Sequence, residues 1–474
     1  MLPLRKFKPH QLPAFDYLMR TRHPFLAQEM RLGKNIEIIR RVKLTQPINT
    51  NLGLKILVVG PNSVLASWER ELELENEPKP IFLQGTSQVR REFLNLTRYH
   101  WRLHNGTKTE LRWFLINKEG WQSLPEIKDI IWDWVILDES WIRNPRTKVT
   151  KFFLQNFRNV QHRALLTGTP NPESILELWT QVAWLDGSAF GHKTFWGHRA
   201  ADYEPNPFHA GDWTPKTEAK ARILEEFGKR AFIQRRKDPG VDLEPHKVHE
   251  ERTLELTPEA LKLYNKAEKD FDLSGRETIW ATDVYIYLRR LCGGVIDGKL
   301  LYPNKMNELI ALLNGELYKV PVVVWFFFND ELYTACSMLI RAGITCYVVT
   351  GETKPEDRRQ IERDFREREW PWVVLMQEAV GPFGMDLSRA DTVIYYSGHP
   401  AALITQQSED RIVNLAKNTT LLYIHLNVKD TVDSDIYAAR YVKGWTSILD
   451  LNQALSDGIR SRQLQSTLVR RLEK

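Results

Sequence analysis

Residues Trp134–Trp141 read WVILDESW: a short apolar run that stops on two adjacent carboxylates. A strand buried on both faces of a parallel sheet reads as a continuous apolar stretch rather than an alternating one, and this run is too short for a helix. The acids at its end suit a nucleotide hydrolase. Asp138 would hold Mg²⁺, directly or through water, and Glu139 would orient and activate the attacking water. Taken alone, two acids at the end of an edge strand are the better reading of these residues.

Working outward, the same kind of run recurs at Ile56–Val59, Ala164–Leu166, Val322–Phe328, Val373–Met376, Thr392–Tyr395 and Leu421–Leu426. Segments with helical spacing lie between them: Val64–Leu74, Ile175–Leu185, Pro258–Phe271, Asp283–Leu291, Asp330–Ala342 and Pro355–Glu369. Alternating strands and helices predict an α/β class with doubly wound parallel sheets. The strands fall into two groups, one ending near Leu185 and one starting near Val320. The stretch between is helical and polar, with a loop rich in Pro, Gly and His at Tyr203–Pro215. The expected organisation is an N-terminal lobe over 1–230, a basic segment and helical insertion over 231–305, a second lobe over 306–450, and a basic helical tail over 451–474. In that tail, Arg460–Lys474 (RSRQLQSTLVRRLEK) reads as a solvated amphipathic helix.

The 474 residues allow two to three domains with real cores. Hydrophobic residues make up 42% and charged residues 27%, as in soluble globular proteins. No apolar run is long enough to span a membrane, and the N-terminus MLPLRKFKPHQLPAF lacks a signal-peptide core, so a cytoplasmic protein is expected. The net charge of +6 fits a nucleic-acid partner without requiring one. Cys292, Cys336 and Cys346 form no CxxC pair, and the 12 histidines are scattered, which argues against zinc. Most of the 16 tryptophans, such as Trp132, Trp134 and Trp325, sit inside apolar runs and read as core.

Three further stretches carry chemistry. Leu26–Asn35 reads LAQEMRLGKN, and a Gly–Lys pair opening a helix is the centre of a phosphate-binding loop. Backbone N–H groups cradle the phosphates there and the lysine reaches the terminal ones. A plain loop before a helix is the bland alternative. Ala164–Pro170 reads ALLTGTP, where small hydroxyl residues after a buried strand can relay changes at the phosphates. Gln407–Arg411 reads QSEDR, whose arginine can stabilise charge on a transferred phosphoryl group.

In order and spacing, these pieces resemble the Swi/Snf-type branch of superfamily-two helicases, from Leu4 to about Ile448. Leu4–Gln11 (LRKFKPHQ) resembles the adenine-reading element, with Gln11 as its glutamine. Phe25–Asn35 resembles the Walker A region, with Arg31, Gly33, Lys34 and Asn35 at the nucleotide. Leu57–Glu73 (LVVGPNSVLASWERELE) is similar to motif Ia, and Ile116–Glu119 (INKE) to motif Ib. Leu137–Ser140 takes the DEAH-box place, and Leu166–Leu178 (LTGTPNPESILEL) is similar to motif III. Phe232–Val241 (FIQRRKDPGV) resembles the basic segment that links the lobes. Val322–Gly343 and Val348–Phe365, with Gly351 in the TGET stretch, resemble motif IV and its follower. Ala379–Leu387 (AVGPFGMDL) resembles motif V, and Gln407–Arg411 begins motif VI.

The resemblance implies two RecA-like lobes with ATP and Mg²⁺ in the cleft between them, Asn35 and Asp138 serving the metal. It implies a compact bacterial or phage form in a bacterial or phage-infected cell, and a monomer whose partner is double-stranded DNA. The grip on DNA would go to phosphates through Ser63, Asn117, Thr353 and Gly384. Lys34, Asp138, Glu139 and Arg411 would carry catalysis.

Three departures bear on activity. Arg31 stands where the branch has Gly. Asn35 replaces the Ser or Thr whose hydroxyl binds Mg²⁺, and its carbonyl projects further than octahedral Mg²⁺ readily accepts. In motif VI, Arg411 fills the first arginine place, Asn414 stands at the second, and Ala416 and Lys417 replace Gly–Gln. Loss of an arginine finger lowers turnover by roughly 10³–10⁵. The expected function is therefore an ATP-dependent double-stranded DNA translocase, with a hydrolysis-impaired DNA-binding or recruiting protein as the alternative. An RNA-directed helicase fits motif Ia and the linking segment less well.

Overall fold

The computed structural model describes residues 5–45, 53–95, 111–139, 141–170, 174–205, 213–269, 279–378, 385–414, 417 and 419–442. The chain divides into two compact units, Met1–Glu244 and Pro245–Lys474.

The first unit contains β1 (Phe25–Gln28), β2 (Leu54–Gly60), β3 (Ile81–Phe82), β4 (Leu111–Asn117), β5 (Trp134–Asp138), β6 (His162–Leu166), β7 (Tyr203–Pro205), β8 (Trp213–Pro215) and β9 (Phe232–Gln234). Seven of these form one sheet in the order β3-β4-β2-β5-β6-β1-β9. Every pairing in it is parallel. Strands β7 and β8 form a separate antiparallel hairpin. Successive strand residues face opposite sides, so each strand feeds two cores. Leu57, Val59, Phe114, Val135, Leu137 and Leu165 enter one. Ile56, Val58, Leu115, Trp134, Ile136 and Leu166 enter the other, beneath Trp68 and Trp113. Both faces being covered is why the centres of β2 and β5 read as apolar runs. Each such side chain contributes about 1.5–3 kcal/mol by leaving water.

The second unit contains β10 (Lys247–Leu254), β11 (Val295–Ile296), β12 (Lys299–Leu300), β13 (Val322–Phe326), β14 (Cys346–Val349), β15 (Val373–Gln377), β16 (Thr392–Tyr395) and β17 (Leu421–Val428). Six form a parallel sheet in the order β10-β17-β16-β13-β15-β14. Strands β11 and β12 make a small antiparallel hairpin. Val324, Phe326, Leu375 and Ile394 face one core, and Val323, Trp325, Val374 and Val393 the other.

The α/β class and the two doubly wound parallel sheets match the sequence expectation. Residues 231–305, read as a segment between lobes, supply β9 to the first sheet and β10 to the second. The run Val322–Phe328 leaves its sheet after Phe326, because the Phe327 N–H donates to Ser397 Oγ at 2.8 Å instead of continuing the ladder. The expected tail helix Arg460–Lys474 and part of the loop Tyr203–Pro215 lie outside the described residues. No helix among the described residues is long and apolar enough to cross a membrane.

Candidate nucleotide site

In the first unit, the chemistry-bearing residues follow the carboxyl ends of the parallel strands, on one edge of the sheet. Residues 29–34 follow β1, Pro61–Ser63 follow β2, Asn117 closes β4, Asp138–Glu139 close β5, and Thr167–Thr169 follow β6. In open α/β sheets this edge is where ligands bind.

The loop after β1 is shaped by two left-handed residues, Arg31 at φ 68° and Gly33 at φ 104°. Gly33 is the N-cap of the helix Lys34–Lys43, and no side chain caps it. The first N–H groups of that helix are thus left for an anion. A side chain at 33 would be strained by the left-handed backbone and would also press on Gln11. A Cβ there would lie 1.9 Å from Gln11 Nε2. The Gln11 carboxamide is fixed at both ends: Oε1 accepts the Lys8 N–H at 2.9 Å, and Nε2 donates to Leu32 O at 3.1 Å. His10 Nε2 meets the same carbonyl at 3.1 Å. Gln11, expected at the adenine, therefore supports the loop backbone directly. Lys34 is buried, and its Nζ donates to Gln28 O at 2.7 Å. Asn35 follows at the second helical residue, half-buried.

Asp138 is buried at the end of β5. Its Oδ2 accepts the Trp68 indole N–H at 2.7 Å, and its Oδ1 accepts the Glu139 N–H at 2.9 Å. Burial first, then the neighbouring Glu139 charge, pushes its carboxyl up to about 6, while the charge of Lys34 opposes the rise. Glu139 itself has φ 51°. A left-handed non-glycine residue costs on the order of 1–3 kcal/mol, and such strain gathers at functional sites. The carboxylate of Asp138 and the carbonyl of Asn35 are hard oxygen donors of the kind Mg²⁺ takes. Burial leaves Asp138 short of positive charge, so the donor set fits the metal.

Thr167 is buried and its Oγ1 accepts the Thr169 N–H at 3.1 Å. Arg143 Nη2 donates to Thr169 O at 3.0 Å, tying the loop after β5 to the loop after β6. Asn117 Nδ2 donates to Glu119 Oε2 at 3.1 Å. The Ser63 side chain and Ser140 lie outside the described residues.

Sequence reasoning missed a polar network beneath the phosphate loop. Gln28 Nε2 donates to Gln234 Oε1 at 2.9 Å and to Glu37 Oε1 at 3.3 Å. Gln234 Nε2 donates to His10 O at 2.8 Å. Burial pushes the Glu37 carboxyl up to about 8. The Arg236 N–H donates to Glu29 Oε2 at 2.8 Å, which fastens the basic segment to the same loop. The polar residues at 28, 37 and 234 signal the network only once the sheet places β1 beside β9.

In the second unit, Arg411 follows the helix Ala402–Glu409 and is buried. That helix is fixed from below. Ser408 Oγ meets Tyr395 OH at 2.8 Å and donates to Glu378 Oε1 at 3.2 Å. Burial raises the Glu378 carboxyl. Lys417 Nζ donates to Arg389 O at 3.2 Å and to Asp391 Oδ1 at 3.3 Å. The Asn414 carbonyl accepts the Lys417 N–H at 3.0 Å. Thr353 Oγ1 accepts the Thr350 N–H at 2.9 Å, which closes the TGET turn. Gly384 and Ala416 lie outside the described residues.

A third group, His192, His198 and Asp202, has ligand atoms within 4.8 Å of one another. Asp202 Oδ2 there already faces Arg222 Nη2 at 2.7 Å, so a guanidinium supplies the positive charge.

Residues 10–291 match the SNF2-related domain family, and residues 304–415 match the helicase conserved C-terminal domain. The chain is 21% identical over 429 residues to an uncharacterized ATP-dependent helicase of Mycoplasma pneumoniae, covering 87% of this chain and 38% of that protein. It is 23% identical over 474 residues to the SWI/SNF chromatin-remodeling complex subunit snf22 of Schizosaccharomyces pombe, covering 92% of this chain and 27% of that one. The chain thus spans well under half the length of these relatives. Among solved structures it is similar to the Sulfolobus solfataricus SWI2/SNF2 ATPase core in complex with dsDNA, with a TM-score of 0.41 and 19% identity, covering 95% of this chain and 94% of that one.

Proposed function

The chain belongs to the SNF2-related domain family as a helicase-like ATPase core, and from that premise we propose that it is a Mg²⁺-dependent ATP hydrolase that moves along double-stranded DNA. The observation that carries this reading is the meeting of Gly33–Lys34 and Asp138–Glu139 on one sheet edge. The uncapped helix N-terminus at Gly33 receives phosphate oxygens, and the Lys34 ammonium, held at the Gln28 carbonyl, has two further N–H bonds for the terminal phosphate. Asn35 and Asp138 would hold Mg²⁺, which neutralises charge on the phosphates. The Glu139 carboxylate orients the attacking water and takes its proton. Trp68 and the Glu139 N–H fix Asp138 so that its orientation does not depend on the ligand. Arg411 stabilises the charge developing on the transferred group. The duplex grip is mainly to phosphates, through Ser63, Asn117, Thr353 and Gly384.

Asn35 and Asn414 favour a second reading, in which the protein clamps DNA without turnover. ATP hydrolysis separates the two when measured alone, with duplex DNA, with single-stranded DNA and with RNA, using Glu139→Gln as the blank. Stimulation by duplex that vanishes in the blank supports the motor. Absent turnover with retained duplex binding selects the clamp.

A further inference from the structure

Among the described residues most tryptophans are buried, but Trp196 is 47% exposed. It lies on the helix Phe195–Asp202, whose first turn is capped by Thr194 Oγ1 accepting the Gly197 N–H at 3.1 Å. Two guanidiniums crowd its ring: Arg146 at 4.9 Å and Arg199 at 4.7 Å from the centroid. Arg199 also lies 4.2 Å from the ring of Trp213, in the β7–β8 hairpin. The result is a ladder of alternating cations and indoles, Arg146–Trp196–Arg199–Trp213. Neither guanidinium takes part in an ion pair or a side-chain hydrogen bond among the described residues. The carboxylate on the same helix, Asp202, is engaged by Arg222, His192 and His198.

A guanidinium stacked on an aromatic face is held in place by its plane, while its N–H edge stays free for a bidentate acceptor. Such an arrangement is pre-ordered for phosphate or carboxylate oxygens. Three observations favour a phosphodiester backbone. The net charge is +6. The ring on which an unpaired base would stack is already crowded by both arginines. Arg146 belongs to the loop that leaves Asp138–Glu139, and Arg143 of that loop bonds the carbonyl of Thr169.

We infer that the Arg146–Trp196–Arg199–Trp213 ladder is a second duplex-DNA contact of the first unit, gripping two backbone phosphates outside the motif residues. This rests on the reading of the protein as a DNA-binding ATPase. The ladder would add grip beside the ATP site without reading sequence.

The test is binding of the full chain to a random-sequence 20-base-pair duplex from about 50 to 200 mM KCl. Each neutralised phosphate contributes about 0.9 to the slope of log K against log salt, so R146A/R199A should lower the slope by about 1.8. Over that fourfold salt range the wild type then loses roughly twelvefold more affinity than the variant. R146K/R199K keeps both charges and should keep most of the slope. ATP hydrolysis without DNA should match the wild type in both variants, which also reports correct folding. A slope unchanged in R146A/R199A overturns the ladder. So does an unchanged slope accompanied by lost binding to polyglutamate, which would assign the ladder to an acidic protein. A wild type that binds no duplex overturns the DNA reading itself, a result distinct from either of these.

Discussion

The two parallel sheets finish their strands differently. In the first unit, the carboxyl edge carries an uncapped helix N-terminus at Gly33 and left-handed residues at Arg31, Gly33 and Glu139. In the second, the groups at the strand ends are bonded to one another: Glu378 to Ser408, Ser397 to Glu331, and Lys305 to Tyr396 O and Asp433. The left-handed non-glycine residues of the second unit, Asp297, Lys319 and Asp430, occupy turns. Helix N-termini without a side-chain cap stand at both edges, at Gly33 in the first unit and at Phe328, Lys354 and Ala401 in the second, so the left-handed Arg31 and Glu139 are what set the first edge apart. By this comparison the proposed hydrolysis chemistry lies on the first unit's edge, while Arg411 in the second follows a helix held by internal bonds.

The comparison can be broken most forcefully at Glu139. Glu139→Gln should lower turnover by about 10²–10⁴ with nucleotide affinity unchanged, as loss of a general base does. Turnover equal to wild type would show that the first edge is not where hydrolysis occurs.

The next largest effect is expected at Gly33. Gly33→Ala places a Cβ against Gln11 and puts alanine in a left-handed conformation, which by itself costs about 1–2 kcal/mol. Thermal unfolding and nucleotide affinity should both fall. Adding Gln11→Ala should restore the part due to the clash and leave the backbone part, a coupling that a double-mutant cycle reads directly. Additive losses would mean that the two residues do not share that space.

Glu37 sharpens the comparison through pH. Its carboxyl sits near 8 when folded and near 4.5 otherwise, so the folded form keeps a proton that the unfolded chain releases. Stability therefore falls as pH rises from about 4.5 through about 8. At about 1.4 kcal/mol per unit, the loss reaches roughly 3 kcal/mol at pH 7. In urea unfolding, E37Q and wild type should coincide near pH 4.5, and E37Q should be the more stable at pH 8. Equal gaps at both pH values would show that Glu37 does not titrate in this window.

The smallest effect is expected at Asn35. Asn35→Ser shortens the donor at the proposed metal site and should lower the Mg²⁺ concentration giving half-maximal hydrolysis by severalfold. An unchanged requirement would take residue 35 out of the metal's reach.

The fold was legible where burial is two-sided. Strands β5, β13 and β15 and the Ile56–Val59 part of β2 announce themselves because no polar residue interrupts their apolar runs. Strand β10, KVHEERTL, does not. It lies at a sheet edge with half-exposed residues, and its charges conceal a strand that pairs with β17 along its whole length. Strand β1 has four residues, too few to show a period. The candidate site was legible as a set of motifs, since Gly33–Lys34 and Asp138–Glu139 are contiguous in sequence. Its support was not. Gln28 and Gln234 are 206 positions apart, and only the pairing of β1 with β9 brings their amides together. The role of Gln11 under the loop likewise depends on a contact that no local pattern encodes.

Gln11 and Gly33 also constrain how this chain can drift. The carboxamide fills the space that a side chain at 33 would need, so the two positions are coupled through that contact. A side chain at 33 meets both a left-handed backbone and the Gln11 carboxamide, and a shortened residue 11 leaves the Leu32 carbonyl to His10 alone. Either substitution alone should therefore be a loss, because each residue is placed by the other.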